Sequence, residues 1–192
     1  MLKTRSSPAQ TLRRFPHQLF RLPFPRPYPR RRSARTGGLH PIFSAHFSEA
    51  GFTLQTSDDG DYALFDADME RQCTMAPSLR GERVSGLTLS FSLPEKPVTA
   101  KSPSLIEQAL LDRYASSLAE TLRLAQSVFG TALDALDPYG EVPDTTRRRW
   151  RALIEECGGE GRSASDAAEA LRLHLYYDGE ETLCIALERK PA

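Results

Sequence analysis

The stretch of sequence that decides the fold is residues 173–187, LHLYYDGEETLCIAL. It contains two runs with strand character, Leu173–Tyr177 and Thr182–Leu187, and the pair Asp178-Gly179 lies between them. An Asp-Gly pair favours a tight hairpin turn because both residues tolerate positive φ angles. We therefore expect the chain to end in an antiparallel hairpin.

Three further strands are expected in the first half of the chain. Phe52–Thr56 and Tyr62–Phe65 lie on either side of the turn-rich segment 57–61, which is typical of a hairpin. In residues 87–93, Leu and Phe alternate with Thr and Ser. This period of two is typical of a strand that buries one of its faces.

A long amphipathic helix is expected to follow these strands. Ser104 and Glu107 have the spacing of a capping box at a helix start. Apolar residues then recur every three or four positions, as on the buried face of a helix: Leu111, Tyr114, Leu118, Leu122, Ala125 and Phe129. Gly130 weakens this helix, and we expect the segment 137–140 to end it.

Two shorter helices are predicted before the terminal hairpin. The first runs from Asp144 or Thr145 to Cys157 and stops at Gly158-Gly159. The second runs from Ser163 to about Leu171. The order of strands, helices and strands predicts an α+β fold, in which an antiparallel sheet of N-terminal strands and the C-terminal hairpin packs against the long helix and the two shorter ones.

Charge divides the chain into two parts. Residues 1–48 contain ten Lys or Arg, no acidic residue and seven of the 14 prolines, so we expect a basic arm without a packed core. The remaining 15 Lys and Arg face all 25 Asp and Glu, which gives residues 49–192 a net charge of −10. The predicted domains are therefore a basic, disordered arm (1–48) and an acidic α+β domain (49–192).

The basic arm allows several functions. Arg30, Arg31 and Arg32, with Phe24 and Tyr28 nearby, could neutralise phosphates and stack on the bases of a nucleic acid. The same composition is typical of an organelle transit peptide, although the prolines disfavour the amphipathic helix of such peptides. A solvated tail without a motif, or translation that begins downstream, is the simplest interpretation.

Several functional classes are disfavoured by what the sequence lacks. No stretch approaches the roughly 18 consecutive apolar residues of a membrane-spanning helix. Cys73, Cys157 and Cys184 are odd in number and far apart, which favours reduced thiols and a cytoplasmic location. The sequence shows no nucleophile elbow, phosphate loop, dinucleotide fingerprint or zinc-protease motif, so we expect no cofactor and do not expect an enzyme.

Two groups of residues remain as candidate sites. If a strand continues through Asp66, Asp68 and Glu70, their carboxylates share one face and could hold Mg²⁺ or Ca²⁺, although acidic edge strands commonly serve to prevent aggregation. On the second helix, a cluster of arginines beside Trp150 could bind nucleic acid or an acidic partner, or could form a solvated face while Trp150 lies in the core. The arginines of this cluster are Arg147, Arg148 and Arg151.

The leading hypothesis is a non-enzymatic protein-interaction module, that is, an adaptor, a regulator or a small chaperone-type protein. It rests on the acidic charge, the wide apolar stripe of the long helix and the hairpin edges that a partner strand could join. In size and acidity the domain resembles small acidic secretion chaperones. A homodimer through surplus apolar surface is also expected, while the alternatives are a nucleic-acid-associated protein that uses the arm and a metal-dependent enzyme of unknown reaction.

Overall fold

The protein is described here from a computed structural model, which covers residues 41–56, 61–81, 83–179 and 181–191. The described residues form three helices, α1 (Pro41–Glu49), α2 (Leu105–Leu136) and α3 (Asp144–Glu160). Four strands follow α1, namely β1 (Thr53–Thr56), β2 (Tyr62–Phe65), β3 (Arg71–Arg80) and β4 (Arg83–Ser92). Three strands follow α3, namely β5 (Ala164–Ala167), β6 (Leu171–Tyr177) and β7 (Thr182–Arg189).

The seven strands form one antiparallel sheet in the order β1-β2-β3-β4-β7-β6-β5. The predicted terminal hairpin is the pair β6–β7, and Gly179 in its turn has a φ angle of +75°. Strand β4 pairs with β7 from Gly86 opposite Glu188 to Ser92 opposite Thr182. This pairing joins the N-terminal strands to the C-terminal hairpin, so the predicted α+β arrangement is confirmed.

The helices cover one face of the sheet. Alternate strand residues and the buried helix residues form a single hydrophobic core, whose largest fully buried members include Trp150, Phe47, Phe91 and Phe129. On β4, Leu87, Leu89 and Phe91 are buried, whereas Thr88 and Ser90 between them are only half-buried. The period of two that was expected in residues 87–93 is therefore present.

Two expectations for individual elements are wrong. Strand β3 was not predicted, because Pro77 and Ser78 interrupt its apolar pattern, yet it pairs with β4 from Thr74 to Arg80. The predicted third helix is also absent, since residues 164–167 form the edge strand β5 against β6. Its alanines and Glu169 favour a helix locally, but pairing with β6 overrides that propensity.

The predicted boundaries of the two longer helices are only partly correct. The capping box of α2 is present, because the Ser104 side chain accepts from the Glu107 amide and the Glu107 carboxylate accepts from the Ser104 amide at 2.7 Å. Helix α3 does not stop at Gly158 but continues to Glu160, and Gly161 provides the left-handed cap with a φ angle of +66°. Gly158 instead allows close packing, because a Cβ atom there would lie 1.9 Å from Leu122 Cδ2.

The start of the described chain crosses the boundary expected at residue 48. Helix α1 begins at Pro41 and belongs to the same compact unit as the sheet. The side chain of Phe47 is fully buried in the core, which was not expected of a residue in the basic arm. The division into an arm and an acidic domain stays a prediction, since residues 1–40 lie outside the described part.

We predict that alanine has opposite effects at two helical glycines. Gly158→Ala should lower the free energy of unfolding by about 1–3 kcal/mol, because the new Cβ overlaps Leu122. Gly130→Ala should raise the free energy of unfolding by up to about 1 kcal/mol, because alanine favours a helix and the nearest atom, Arg151 Nη2 at 3.2 Å, ends a flexible side chain. Urea denaturation followed by circular dichroism measures both changes.

The substitution Leu122→Ala provides the control for this prediction. In that background the overlap is removed, so Gly158→Ala should no longer destabilise the protein. Equal effects of Gly158→Ala in both backgrounds would contradict the proposed packing.

Candidate functional site

The expected metal ligands lie in a turn, not in a strand. Asp66 follows the end of β2, and its Oδ1 atom accepts the backbone amides of Asp68 at 3.0 Å and Glu70 at 2.9 Å. Its other carboxylate oxygen accepts the side-chain amide of Gln72. The expectation that a strand continues through these residues is therefore wrong. Within the described ranges, no group of three or more His, Cys, Asp or Glu residues could hold a metal ion.

Arg147 is engaged inside the protein. Its Nη1 atom lies 2.5 Å from Asp134 Oδ1, its Nη2 atom lies 2.6 Å from Asp137 Oδ2, and its Nε atom donates to the carbonyl of Val142 at 3.1 Å. Partial burial opposes the charged form, but the two carboxylates raise the pKa of Arg147 above its ordinary value. The guanidinium thus fixes the connection between α2 and α3.

Asp137 is the buried centre of that connection. Its carboxylate also accepts the backbone amides of Glu141 at 2.8 Å and Val142 at 3.0 Å. These bonds satisfy the chain where it leaves α2 and turns into α3. The sequence offered no signal for this arrangement, because it depends on the position of Arg147 in the next helix.

The other predicted arginines have different environments. Arg148 and Arg151 are exposed on α3, and Arg30, Arg31 and Arg32 lie outside the described residues. Trp150 is fully buried, and its ring packs edge to face on Phe129 with centroids 6.4 Å apart. Trp150 is therefore a core residue, and a nucleic-acid site that uses the exposed arginines stays a prediction.

Asp166 on β5 connects the edge strand to α3. Its Oδ2 atom accepts from Trp150 Nε1 at 2.6 Å and from Arg149 Nη2 at 2.5 Å. Partial burial works against ionisation, but these hydrogen bonds lower the pKa of Asp166 below its ordinary value. The carboxylate therefore holds β5 where a helix was expected.

The three cysteines are buried, free thiols. Burial raises the pKa of the Cys73 thiol to about 12, against a smaller opposing effect of Arg71. Burial also raises the pKa of Cys157, with a contribution from Glu156, and the pKa of Cys184. A raised pKa disfavours the reactive thiolate form, so these residues have the properties of core cysteines.

The most unusual surface is the first half of α2. The fully buried residues of α2 begin only at Leu122. In residues 105–121, a length of about 25 Å, the best-covered side chains, such as Leu111, Tyr114 and Leu118, are only half-buried. Three large apolar side chains are exposed there, Leu105 by 91%, Ile106 by 76% and Leu110 by 48%. We call residues 105–121 the exposed half of α2. The sequence contained a signal for this surface, because the apolar stripe of α2 is widened at its start by Leu105, Ile106 and Leu110.

The two flanks of α2 differ. Along one flank, α3 contacts Leu122 through Gly158, and its Arg151 carbonyl accepts from Gln126 at 3.1 Å. On the opposite flank, Thr121 and Leu124 line a cleft of about 410 Å³ that lies between α2 and strands β3 and β4. The exposed half of α2 is thus continuous with a cleft along the side that α3 does not cover.

Comparison with known proteins does not identify a relative. No family model, no curated protein and no solved structure matches this chain. None of the described helices is long and apolar enough to cross a membrane.

We predict that Arg147 is a structural residue. Arg147→Ala should lower the free energy of unfolding by about 2–4 kcal/mol, because it leaves the buried Asp137 carboxylate without its cation. Arg148→Ala, the exposed neighbour, should change it by no more than about 0.5 kcal/mol. Urea denaturation followed by Trp150 fluorescence compares the two variants, and equal losses would contradict this assignment.

A second prediction concerns the dependence of stability on pH. Because the pKa of folded Asp166 is lowered, its carboxylate stabilises the protein above the unfolded pKa of about 3.9, and this contribution is lost as the pH falls through the folded pKa. Asp166→Asn should therefore destabilise the protein at about pH 6, and the difference from wild type should shrink toward about pH 3. Denaturation curves across this range measure it, and a difference independent of pH would refute it.

Proposed function

We propose that this protein is a non-enzymatic interaction module that binds another protein through the exposed half of α2. Such a module would act as an adaptor, a regulator or a small chaperone-type protein. The observation that carries the proposal is the exposure of Leu105, Ile106 and Leu110 on successive turns of one helix. Clustered apolar side chains of this kind are typical of protein-binding surfaces.

Energetics supports binding at this surface. Burying a leucine or isoleucine side chain contributes about 1.5–3 kcal/mol, so Ile106 and Leu110 together would contribute up to about 3–6 kcal/mol to a complex. The other contacts of the partner would have to offset the entropy that is lost on association. Val98, fully exposed in the connection to α2, lies near this surface in sequence and could add to the contact.

The exposed half of α2 is also held in place before any partner arrives. The capping box fixes the first turn, and the Glu107 carboxylate additionally accepts the backbone amide of Ala100 at 3.3 Å. A helix that is already formed loses less conformational entropy on binding. These contacts support a preorganised docking surface.

In the described part of the chain, the residues that could bind a metal ion, bind an anion or act as nucleophiles have structural roles. Asp66 closes a turn, Arg147 joins two helices, and the cysteines have raised pKa values. Three buried free thiols also fit a reducing, cytoplasmic compartment. These structural roles favour binding of a partner through the exposed half of α2 over catalysis.

The proposal is tested by cross-linking the full chain to its neighbours in the cells of its source. The variant Ile106→Asp/Leu110→Asp should lose its cross-linked protein partners by about tenfold or more, because two apolar contacts are removed. Ile106 lies in the first turn of α2, where an aspartate interacts favourably with the helix dipole, and neither Ile106 nor Leu110 is buried, so the fold should be retained. Thermal unfolding followed by circular dichroism verifies that the variant is folded.

The matched control is the variant Leu79→Asp/Tyr139→Asp. These residues are 50% and 88% exposed, and they lie outside α2. The control should keep the partners of the wild type. Loss of partners in the control alone, or equal retention in both variants, would contradict the proposal.

A further inference from the structure

A stripe of residues with regular spacing runs along the flank of α2 that faces away from α3. Its members are four, three, four, three and four residues apart: Ile106, Leu110, Arg113, Ser117, Glu120 and Leu124. This spacing keeps side chains in one line along a helix and is the spacing of helix pairs. We call these six residues the α2 stripe.

The α2 stripe is complementary to itself when two copies run antiparallel. If the two-fold axis passes between Arg113 and Ser117, Ile106 of each copy lies opposite Leu124 of the other, which is already partly buried against its own core. Leu110 then lies opposite the aliphatic part and carboxylate of Glu120. Arg113 lies opposite Ser117, whose small side chain leaves room for the arginine.

Charges in the α2 stripe fit the same arrangement. In that antiparallel register, Arg113 of one copy lies within one helical turn of Glu120 of the other. The two residues are seven positions apart in their own helix, which is too far for an ion pair within one chain. Among the residues that the structure describes, neither of them forms an ion pair.

The cleft beside Leu124 provides space for the second helix. Its volume is about 410 Å³, and its walls include Thr74 and Ser90 on the sheet and Thr121 on α2. Helix α1 also contacts α2, but with nine residues it is too short to cover a helix of 32 residues. Ile106 of a second copy would reach the mouth of this cleft.

The charge around the α2 stripe favours a second copy over the basic arm of the same chain. Residues 49–192 have a net charge of −10, so these parts of two copies repel each other unless they meet at a surface with balanced charge. Residues 94–124, in contrast, contain four acidic and four basic residues and are neutral. A neutral surface of mixed charge attracts a strongly basic segment only weakly. Two acidic domains can contact each other there without strong electrostatic repulsion.

We infer that the protein forms a homodimer in which two α2 helices pack antiparallel along their stripes. This inference rests on the proposed function, since it names the partner that occupies the exposed half of α2. It places Ile106 and Leu110 in the interface and gives Arg113 and Glu120 the task of fixing the register. The interface is isologous, because the same surface of each copy takes part.

Analytical ultracentrifugation of the full chain tests the inference. The wild type should sediment at about twice the 21.4 kDa of one chain, and Ile106→Asp/Leu110→Asp should sediment as a monomer. Arg113→Glu and Glu120→Arg should each weaken dimerisation by about tenfold, because each places like charges opposite each other. The double variant Arg113→Glu/Glu120→Arg should recover the dimer, since the opposite charges face each other again.

Three results would each contradict the homodimer. The first is a wild type that remains monomeric over about a hundredfold range of concentration. The second is a dimer that persists unchanged in Ile106→Asp/Leu110→Asp, and the third is a double charge reversal that fails to restore the dimer. A monomeric wild type whose cross-linked partners still disappear in Ile106→Asp/Leu110→Asp would refute the homodimer while it supports the proposed function. Deleting residues 1–40 should leave the dimer intact, and its loss would show that the basic arm takes part in the interface.

Discussion

The pairing of β4 with β7 is the interaction on which the rest of the structure depends. It joins two groups of strands that are separated in sequence by α2 and α3, and it creates one sheet that both helices can cover. Gly86 makes the close approach of the two strands feasible, since a Cβ atom there would lie 2.8 Å from the carbonyl oxygen of Leu187. Without this ladder, the buried half of α2 would have no common surface to cover.

The buried residues of α2 all lie in its second half, from Leu122 to Leu136. A helix of 32 residues is about 48 Å long, and its buried part accounts for about 22 Å of that length. The capping box at Ser104 and Glu107 nevertheless keeps the other turns helical, so the fold presents Leu105, Ile106 and Leu110 on a rigid support.

The parts of the fold that depend on local sequence could be predicted. The Asp178-Gly179 turn, the capping box of α2 and the alternation in β4 depend on neighbouring residues, and they are confirmed. Contacts between distant residues were missed. Strand β5 forms because β6 lies beside it, and Gly158 is a packing residue because Leu122 faces it.

The candidate sites show the same division. Asp66 and Arg147 were candidates because of their charge, but spacing did not indicate their partners. Asp66 closes a turn, and the Asp137 partner of Arg147 lies ten residues earlier, in the connection between two helices. The exposed half of α2 was hidden for a different reason. Its apolar residues fit the general pattern of an amphipathic helix, and which of them remain uncovered depends on where the sheet and the other helices contact α2.

Coverage of the exposed half of α2 by a second copy of the chain is tested most directly by amide hydrogen exchange at increasing protein concentration. Exchange in residues 105–121 should slow as the concentration rises, while exchange in strand β1 at the far edge of the sheet should stay constant. Exchange in residues 105–121 that is independent of concentration would contradict it.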